Sequence, residues 1–324
     1  MTTAMTGGMP LELLPPDISR YSCGSHAIPY AITLAAQQPG PHVVISALMH
    51  GNELCGAIAA NRLLTAGLRP TRGQLSFIFC NIEAFGHFHP DYPAMSRYVD
   101  EDMNRLWSPE RLSGPDRPGD SSELRRARAI WPLFADADLV LDIHSMLHDP
   151  VPMMLAGAAP RALALAQRIG LPGWIITDQG HADGSRLIDH PRFTGPDQQG
   201  PTALLVECGQ HWQKAAADTA LTIAARFLEI SDIIQRDALP PWLPSTPWPP
   251  SRLVEVTQTV TVLTNQFHFT REVSGMDIIP TAGTLIALDG DLPVRTPHDH
   301  CILIMPARHP VRGHTAVRLG RLVA

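Results

Sequence analysis

The chain has no large excess of either charge. Its 324 residues carry 25 Lys and Arg against 31 Asp and Glu, a net charge of −6, with no basic tract. A nucleic-acid partner is therefore not expected, because such binders concentrate cations on one face or run. The mild, dispersed acidity names no partner and chiefly favours solubility. Nor is there an apolar run near the roughly 20 residues a membrane-spanning helix needs, so no membrane association is expected. The opening residues, MTTAMTGGMPLELLPPD, lack a basic n-region and an apolar h-region, so no secretory signal is expected and a cytoplasmic location is. Cysteines are few and odd in number (Cys23, Cys55, Cys80, Cys208, Cys301), with no CxxC pair. Most lie in or beside apolar segments, as buried reduced thiols do. No internal repeat stands out.

What is present falls into three parts. Leu239–Ser251, LPPWLPSTPWPPS, holds six prolines, which exclude helix and central strand and predict an extended connector. Before it, over 1–238, apolar strand-like runs alternate with amphipathic helical ones. His42–Met49, Gln74–Asn81, Leu139–Ile143, Pro152–Gly157 and Ala203–Glu207 read as strands. Glu53–Gly67, Ser121–Ala137, Pro160–Gly170 and about Ala215–Arg236 read as helices, with Ser121 or Ser122 as a cap and Pro132 as a kink or break. That alternation predicts an α/β catalytic domain, a mostly parallel or mixed sheet flanked by helices. After the connector, 252–324 is β-type with Gly, Pro and Asp turns, which predicts a smaller all-β C-terminal domain.

Three of the strands end on polar residues. VVISALMHGNE (Val43–Glu53), LVLDIHS (Leu139–Ser145) and ALLVECG (Ala203–Gly209) place His50, Glu53, His144 and Glu207 at their carboxyl ends, the edge where open α/β sheets bind ligands. Two His and a carboxylate, with one carboxylate to spare, are the parts of a hydrolytic zinc site. HxxE alone is a common chance pair, with Gly51 available to relax its turn. His144 on a separate strand turns it into a candidate triad. Asp142, two residues earlier, shares a strand face with His144, either behind the imidazole as its tautomer-fixing partner or as a buried ion-pair partner. Glu207 ends a buried run, which calls for compensation: a metal-bound water, for which it acts as base, or an Arg. SRYVDEDMNRLW (Ser96–Trp107) has no period and reads as a solvated excursion or a binding loop. In it Arg97 and Arg105 are suited to carboxylates or to a polarised carbonyl, and Asn104 adds an amide donor.

Together HGNE, SRYVDEDMNR, DIHS and VECG resemble the succinylglutamate desuccinylase/aspartoacylase family of zinc carboxypeptidase-like proteins, in order and spacing through about the first two thirds of the chain. The resemblance implies one Zn²⁺ per chain on His50, Glu53 and His144, with Glu207 activating the bound water. It also implies that Arg97 polarises the scissile carbonyl, and that Asn104 and Arg105 hold the α-carboxylate of a small N-acyl amino acid. The expected activity is an amidohydrolase that removes the acyl group. A carboxypeptidase for short peptides and a non-catalytic binding protein are the rival readings, and a homo-oligomer is left open. The stretch before Glu207 departs from the family pattern: Arg186 and Arg192 align with nothing, so the acyl group and amino acid stay unnamed. His211 either reaches the site or is structural. His298 and His300 read as turn residues, His148 as a strand-exit residue, and Met146, Met153 and Met154 as core or pocket lining.

Overall fold

The apolar runs form the sheet, and the helical patterns pack against it, in a computed structural model that describes residues 10–148, 151–181, 183–243 and 249–323. The strands are β1 (Ala31–Ala35), β2 (His42–Ala47), β3 (Gln74–Phe79), β4 (Leu139–Met146), β5 (Met153–Leu155), β6 (Trp174–Thr177), β7 (Thr202–Gln210), β8 (Arg252–Thr261), β9 (Phe267–Phe269), β10 (Ile278–Ile279), β11 (Leu285–Asp289), β12 (Leu292–Arg295), β13 (Cys301–Ile304) and β14 (Thr315–Val323). The helices are α1 (Leu54–Thr65), α2 (Ile82–Gly86), α3 (Pro109–Leu112), α4 (Ser122–Asp136), α5 (Pro160–Ile169), α6 (Pro191–Thr194) and α7 (Lys214–Ile230). The first nine residues and 244–248 of the proline connector lie outside the described residues. The rest of the connector forms neither helix nor strand.

Among the described residues eleven strands make one sheet in the order β1-β3-β2-β4-β7-β5-β6-β8-β14-β13-β10. Its centre, β3, β2, β4 and β7, is parallel. Every residue of β2 and β7 is buried, because helices cover both faces, and such strands read as unbroken apolar runs. One face packs on α1, α5 and α7, the other on α4. The register of β4 on β7 sets His144 opposite Glu207, so two of the candidate side chains are neighbours by pairing alone. β5 turns antiparallel to β7, and the chain re-enters the sheet after the connector, with β8 parallel to β6. The β-rich C-terminal part therefore continues the main sheet, adds a smaller sheet β12-β11-β9, and carries an apolar cluster of its own around Val260, Ile286, Leu303 and Val317.

Two local expectations are corrected. α4 runs through Pro132 without a break. Pro132 lies on the exposed face, where water can satisfy the carbonyl that the missing N–H frees. α7 stops at Ile230, six residues short of the expected Arg236. Ser231 there turns both its amide and its hydroxyl onto the Phe227 carbonyl, and Asp232 takes a left-handed φ of 57°.

Candidate active site

His50 and Glu53 follow β2 in a short turn. Leu48, with φ 59°, redirects the chain, and Glu53 is the residue just before α1, where its carboxylate leaves the helix uncapped and turns to the histidines instead. Gly51 is required by proximity and not by turn conformation. A Cβ there would meet the Ala84 carbonyl carbon and the Phe85 nitrogen at 2.4 Å and the Ser96 oxygen at 2.5 Å. The bare Gly51 backbone also donates to the Arg97 carbonyl at 3.0 Å. The glycine thus pulls the Ser96–Trp107 loop onto the strand end that carries His50.

The resulting geometry is specific. His50 Nδ1 lies 2.7 Å from Glu53 Oε1, and His144 Nδ1 lies 2.9 Å from Glu53 Oε2. Among the described residues, these three form a group whose ligand atoms all lie within 4.8 Å of one another, and all three are buried. Neighbouring ligand atoms on a tetrahedral zinc with bonds of about 2.0 Å sit about 3.3 Å apart, a spacing between the closest contacts and the outer limit of this group. Each imidazole presents its other nitrogen to a carboxylate. His144 Nε2 is 2.8 Å from Asp142, itself held by the Ser46 hydroxyl, and His50 Nε2 is 3.0 Å from Asp102. A carboxylate on the far nitrogen fixes the tautomer that leaves Nδ1 free to bind metal.

The electrostatics have the same cause throughout. Burial works against the Glu53 charge, yet the two imidazoles hold its carboxyl well below the usual range. For His144, burial is outweighed by Asp142 and Glu53, which raise it well above an ordinary histidine. Asp102 is pulled far down, against burial, by His50, Arg97 and Arg105. Glu207 goes the other way: burial, joined by the Glu53 and Asp142 charges, pushes it up to about 8 against the pull of His144 and Arg97. Its Oε2 is buried without a hydrogen-bond partner among the described residues. Four carboxylates thus surround two imidazoles and Arg97, an anion-rich nest suited to a divalent cation.

Every residue expected at the site lines one cavity of about 210 Å³ or stands directly behind it, Asp142 being the one behind. Arg97 bonds Asp102 at 2.9 Å and reaches 3.0 Å from His50 Nε2. Asn104 is buried and accepts the Leu187 amide, while Arg105 lies 3.2 Å from Asp183. His211 does reach the cavity, with its Nδ1 2.8 Å from the Ser145 hydroxyl. Arg186 also lines it, whereas Arg192 donates to the Ala137 carbonyl and has no part in the site. His298 and His300 occupy an exposed turn. The sequence reading did not single out Asp102, His181 or Arg318. Asp102 had a signal, an acidic residue five after Arg97 in the candidate loop. Arg318, on β14, had none.

The α/β sheet thus carries at its strand ends a buried His-Glu-His cluster that could hold a metal ion, with a carboxylate opposite it. Comparison with known proteins supplies the family. The model of the succinylglutamate desuccinylase/aspartoacylase catalytic domain matches residues 39–230, and the chain belongs to that family. A stretch of 113 residues is 31% identical to an N-acyl-aromatic-L-amino acid amidohydrolase (carboxylate-forming) of Xenopus laevis, covering 33% of this chain and 35% of that protein. The match thus spans about a third of the relative's length. Among solved structures, succinylglutamate desuccinylase from Vibrio parahaemolyticus superposes with a TM-score of 0.68 at 17% identity, over 91% of this chain and 87% of the other. A product-bound ectoine utilization protein from Ruegeria pomeroyi does so with 0.59 at 18% identity, over 90% and 87%. At these identities the likeness establishes the fold.

Proposed function

We propose that the protein is a zinc-dependent amidohydrolase that removes an acyl group from an N-acylated amino acid. The observation that carries the reading is the buried Glu207 carboxylate, whose Oε2 has no hydrogen-bond partner among the described residues, facing the same cavity as the His50, Glu53 and His144 cluster. Those three residues would hold the ion, and Asp142 and Asp102 would keep both imidazoles oriented toward it. When bound, zinc supplies Lewis acidity, lowering the pKa of a coordinated water and drawing charge toward the substrate carbonyl oxygen.

The chain's own groups do the rest. Glu207 takes a proton from the attacking water and returns it to the amide nitrogen as the C–N bond breaks, so the products are a carboxylic acid and a free amine. Arg97, steadied by Asp102, offers N–H donors to the oxygen that gains negative charge. Arg105 and Asn104 hold the substrate carboxylate, which sets the amide at a fixed distance from Glu207. His211 stays neutral, its pKa pushed down to about 3 by burial, and orients the Ser145 hydroxyl. Met305 and Arg318 from the C-terminal strands form part of the cavity wall. The expected C-terminal domain of 252–324 thereby narrows the mouth and favours a small substrate over a peptide.

The test is metal content measured with hydrolysis of a panel of acetyl, formyl and succinyl amino acids. About one zinc per chain, with turnover lost on chelation, is the expected result. Glu207→Gln should lower kcat by about 10²–10⁴-fold while keeping the metal. A variant with zinc and full turnover would end the assignment.

A further inference from the structure

We propose that residues 183–187, between β6 and β7, form a clamp that sets Asn104 and Arg105 as a carboxylate-binding fork, with Asp183 as the positioning residue for the Arg105 guanidinium. This rests on the deacylase reading above, in which that pair holds the substrate carboxylate.

Four residues of the segment meet the pair or its immediate neighbours. Asp183 Oδ2 lies 3.2 Å from Arg105 Nε, an ion pair with both side chains partly exposed. Gly184 lies against Arg105 itself. A Cβ there would meet the Arg105 carbonyl oxygen at 2.5 Å and the Arg105 Cβ at 2.7 Å, and its φ of 147° favours glycine in any case. Ser185 forms a parallel bridge with Leu106, and its carbonyl accepts the Trp107 amide at 3.1 Å. The Leu187 amide donates to Asn104 Oδ1 at 3.1 Å. The segment also has a fixed base: Arg186, 2% exposed, donates to Asp178 and Asp189 at 2.5 to 3.0 Å.

These contacts decide which donors are left for a ligand. Only the oxygen of a carboxamide accepts a backbone N–H, so Leu187 fixes the Asn104 side chain with Nδ2 as the end available to an anion. Arg105 is held on its Nε edge by Asp183 and through Nη1 by the Asn104 carbonyl at 2.9 Å. Among the described residues its terminal nitrogens make no other hydrogen bond, and those are the donors that grip a carboxylate. Asp183 therefore orients the guanidinium without occupying the donors a substrate would use. Arg105 is also its nearest cationic neighbour, with His181 Nδ1 at 3.7 Å and His314 Nδ1 at 3.9 Å. An arginine not held in this way would surrender its rotamer freedom on binding, at a loss of roughly 3- to 10-fold in affinity.

The experiment uses the full-length, zinc-loaded protein with N-acetylmethionine and N-acetylaspartate, each beside its α-carboxamide. Turnover gives kcat and KM, and calorimetry on a Glu207→Gln background gives binding apart from turnover. The parent protein should favour acid over amide by at least about 10-fold. Asp183→Asn should cut that preference roughly 3- to 10-fold through KM, with kcat, zinc content and melting temperature little changed. Asp183→Glu should recover part of it. A merely structural defect would weaken acid and amide alike. Gly184→Ala, whose methyl meets Arg105, should cut the preference further; should it fail to fold, the Asp183 variants still decide. Equal binding of acid and amide by the parent protein, no binding of either acid, or an unchanged preference in Asp183→Asn overturns the proposal. So does tighter acid binding in that variant, which would make Asp183 a competitor for Arg105. Acid-selective binding by a protein that hydrolyses none of these compounds would instead sink the deacylase reading and leave the clamp standing.

Discussion

At the scale of single residues, each imidazole of the candidate site pairs its Nε2 with a carboxylate, His144 with Asp142 and His50 with Asp102. In the proposed function these carboxylates decide that Nδ1 is the nitrogen left to face a metal. Replacing either with Asn keeps the shape but lets the ring rotate or hold the wrong tautomer. Each change should weaken zinc binding about 10- to 100-fold, measured by competition with a chelator. An unchanged affinity in both variants would remove this role. Asp142 was legible because a strand alternates sides, so residues two apart share a face with no tertiary knowledge. Asp102 was not, since its meaning depends on where His50 Nε2 lies, 52 residues away in sequence.

At the scale of elements, the loop that supplies Arg97, Asp102, Asn104 and Arg105 has no regular structure to hold it. Ahead of Asn104 it is held at two points. Gly51 admits its backbone at one end, and at the other the buried Glu123 carboxylate in the first turn of α4 accepts the amides of Val99, Asp100 and Glu101 at 2.6, 3.1 and 3.3 Å. Asp100 in return caps the Ser122 amide. Glu123→Ala would leave those amides and the Asn81 side chain without their acceptor. It should cost about 1–3 kcal/mol in stability and lower kcat/KM at least about 10-fold as Arg97 drifts, with zinc affinity less affected. Normal kinetics in that variant would show that the loop is held elsewhere. Gly51→Ala should be worse on both counts, because the new methyl meets backbone and not a flexible side chain. The helices that matter here were readable from their caps and periods. β1 and β6 were not; β1 is a partly buried edge strand, without the unbroken buried run that marks the central ones.

At the scale of the whole molecule, one sheet carries both the site and the β-rich C-terminal part. Since β8 pairs along β6 and Arg318 reaches Asp178 and His181, removing residues after Leu239 would expose a sheet edge and open the cavity wall together. Buried histidines add a global pH dependence. Burial, with the nearby Arg192, pushes His190 down to about 4, and burial with Arg318 and Arg105 pushes His181 down to about 2. Below about 6.5 the unfolded chain protonates these rings while the folded chain does not. Stability should therefore fall as pH drops from about 6.5 toward those values, by at most about 1.4 kcal/mol per pH unit for each ring. Melting temperatures between pH 7 and 5 measure this. His190→Asn, which can still accept the Arg192 amide as His190 does at 3.1 Å, should flatten the slope; an unaltered slope would assign it to other groups.

The sequence by itself determined the α/β alternation, the polar strand ends, the family and the candidate catalytic residues, because each rests on local spacing: a period, a cap, a polar residue closing an apolar run. Only the tertiary structure decided that Asp102 stands behind His50, that Glu123 and Gly51 anchor the loop, that Arg186 is spent on Asp178 and Asp189, and that Arg318 reaches the cavity from the far end of the chain. Those facts are distances between segments remote in sequence. They follow from strand order and register, which no local pattern encodes.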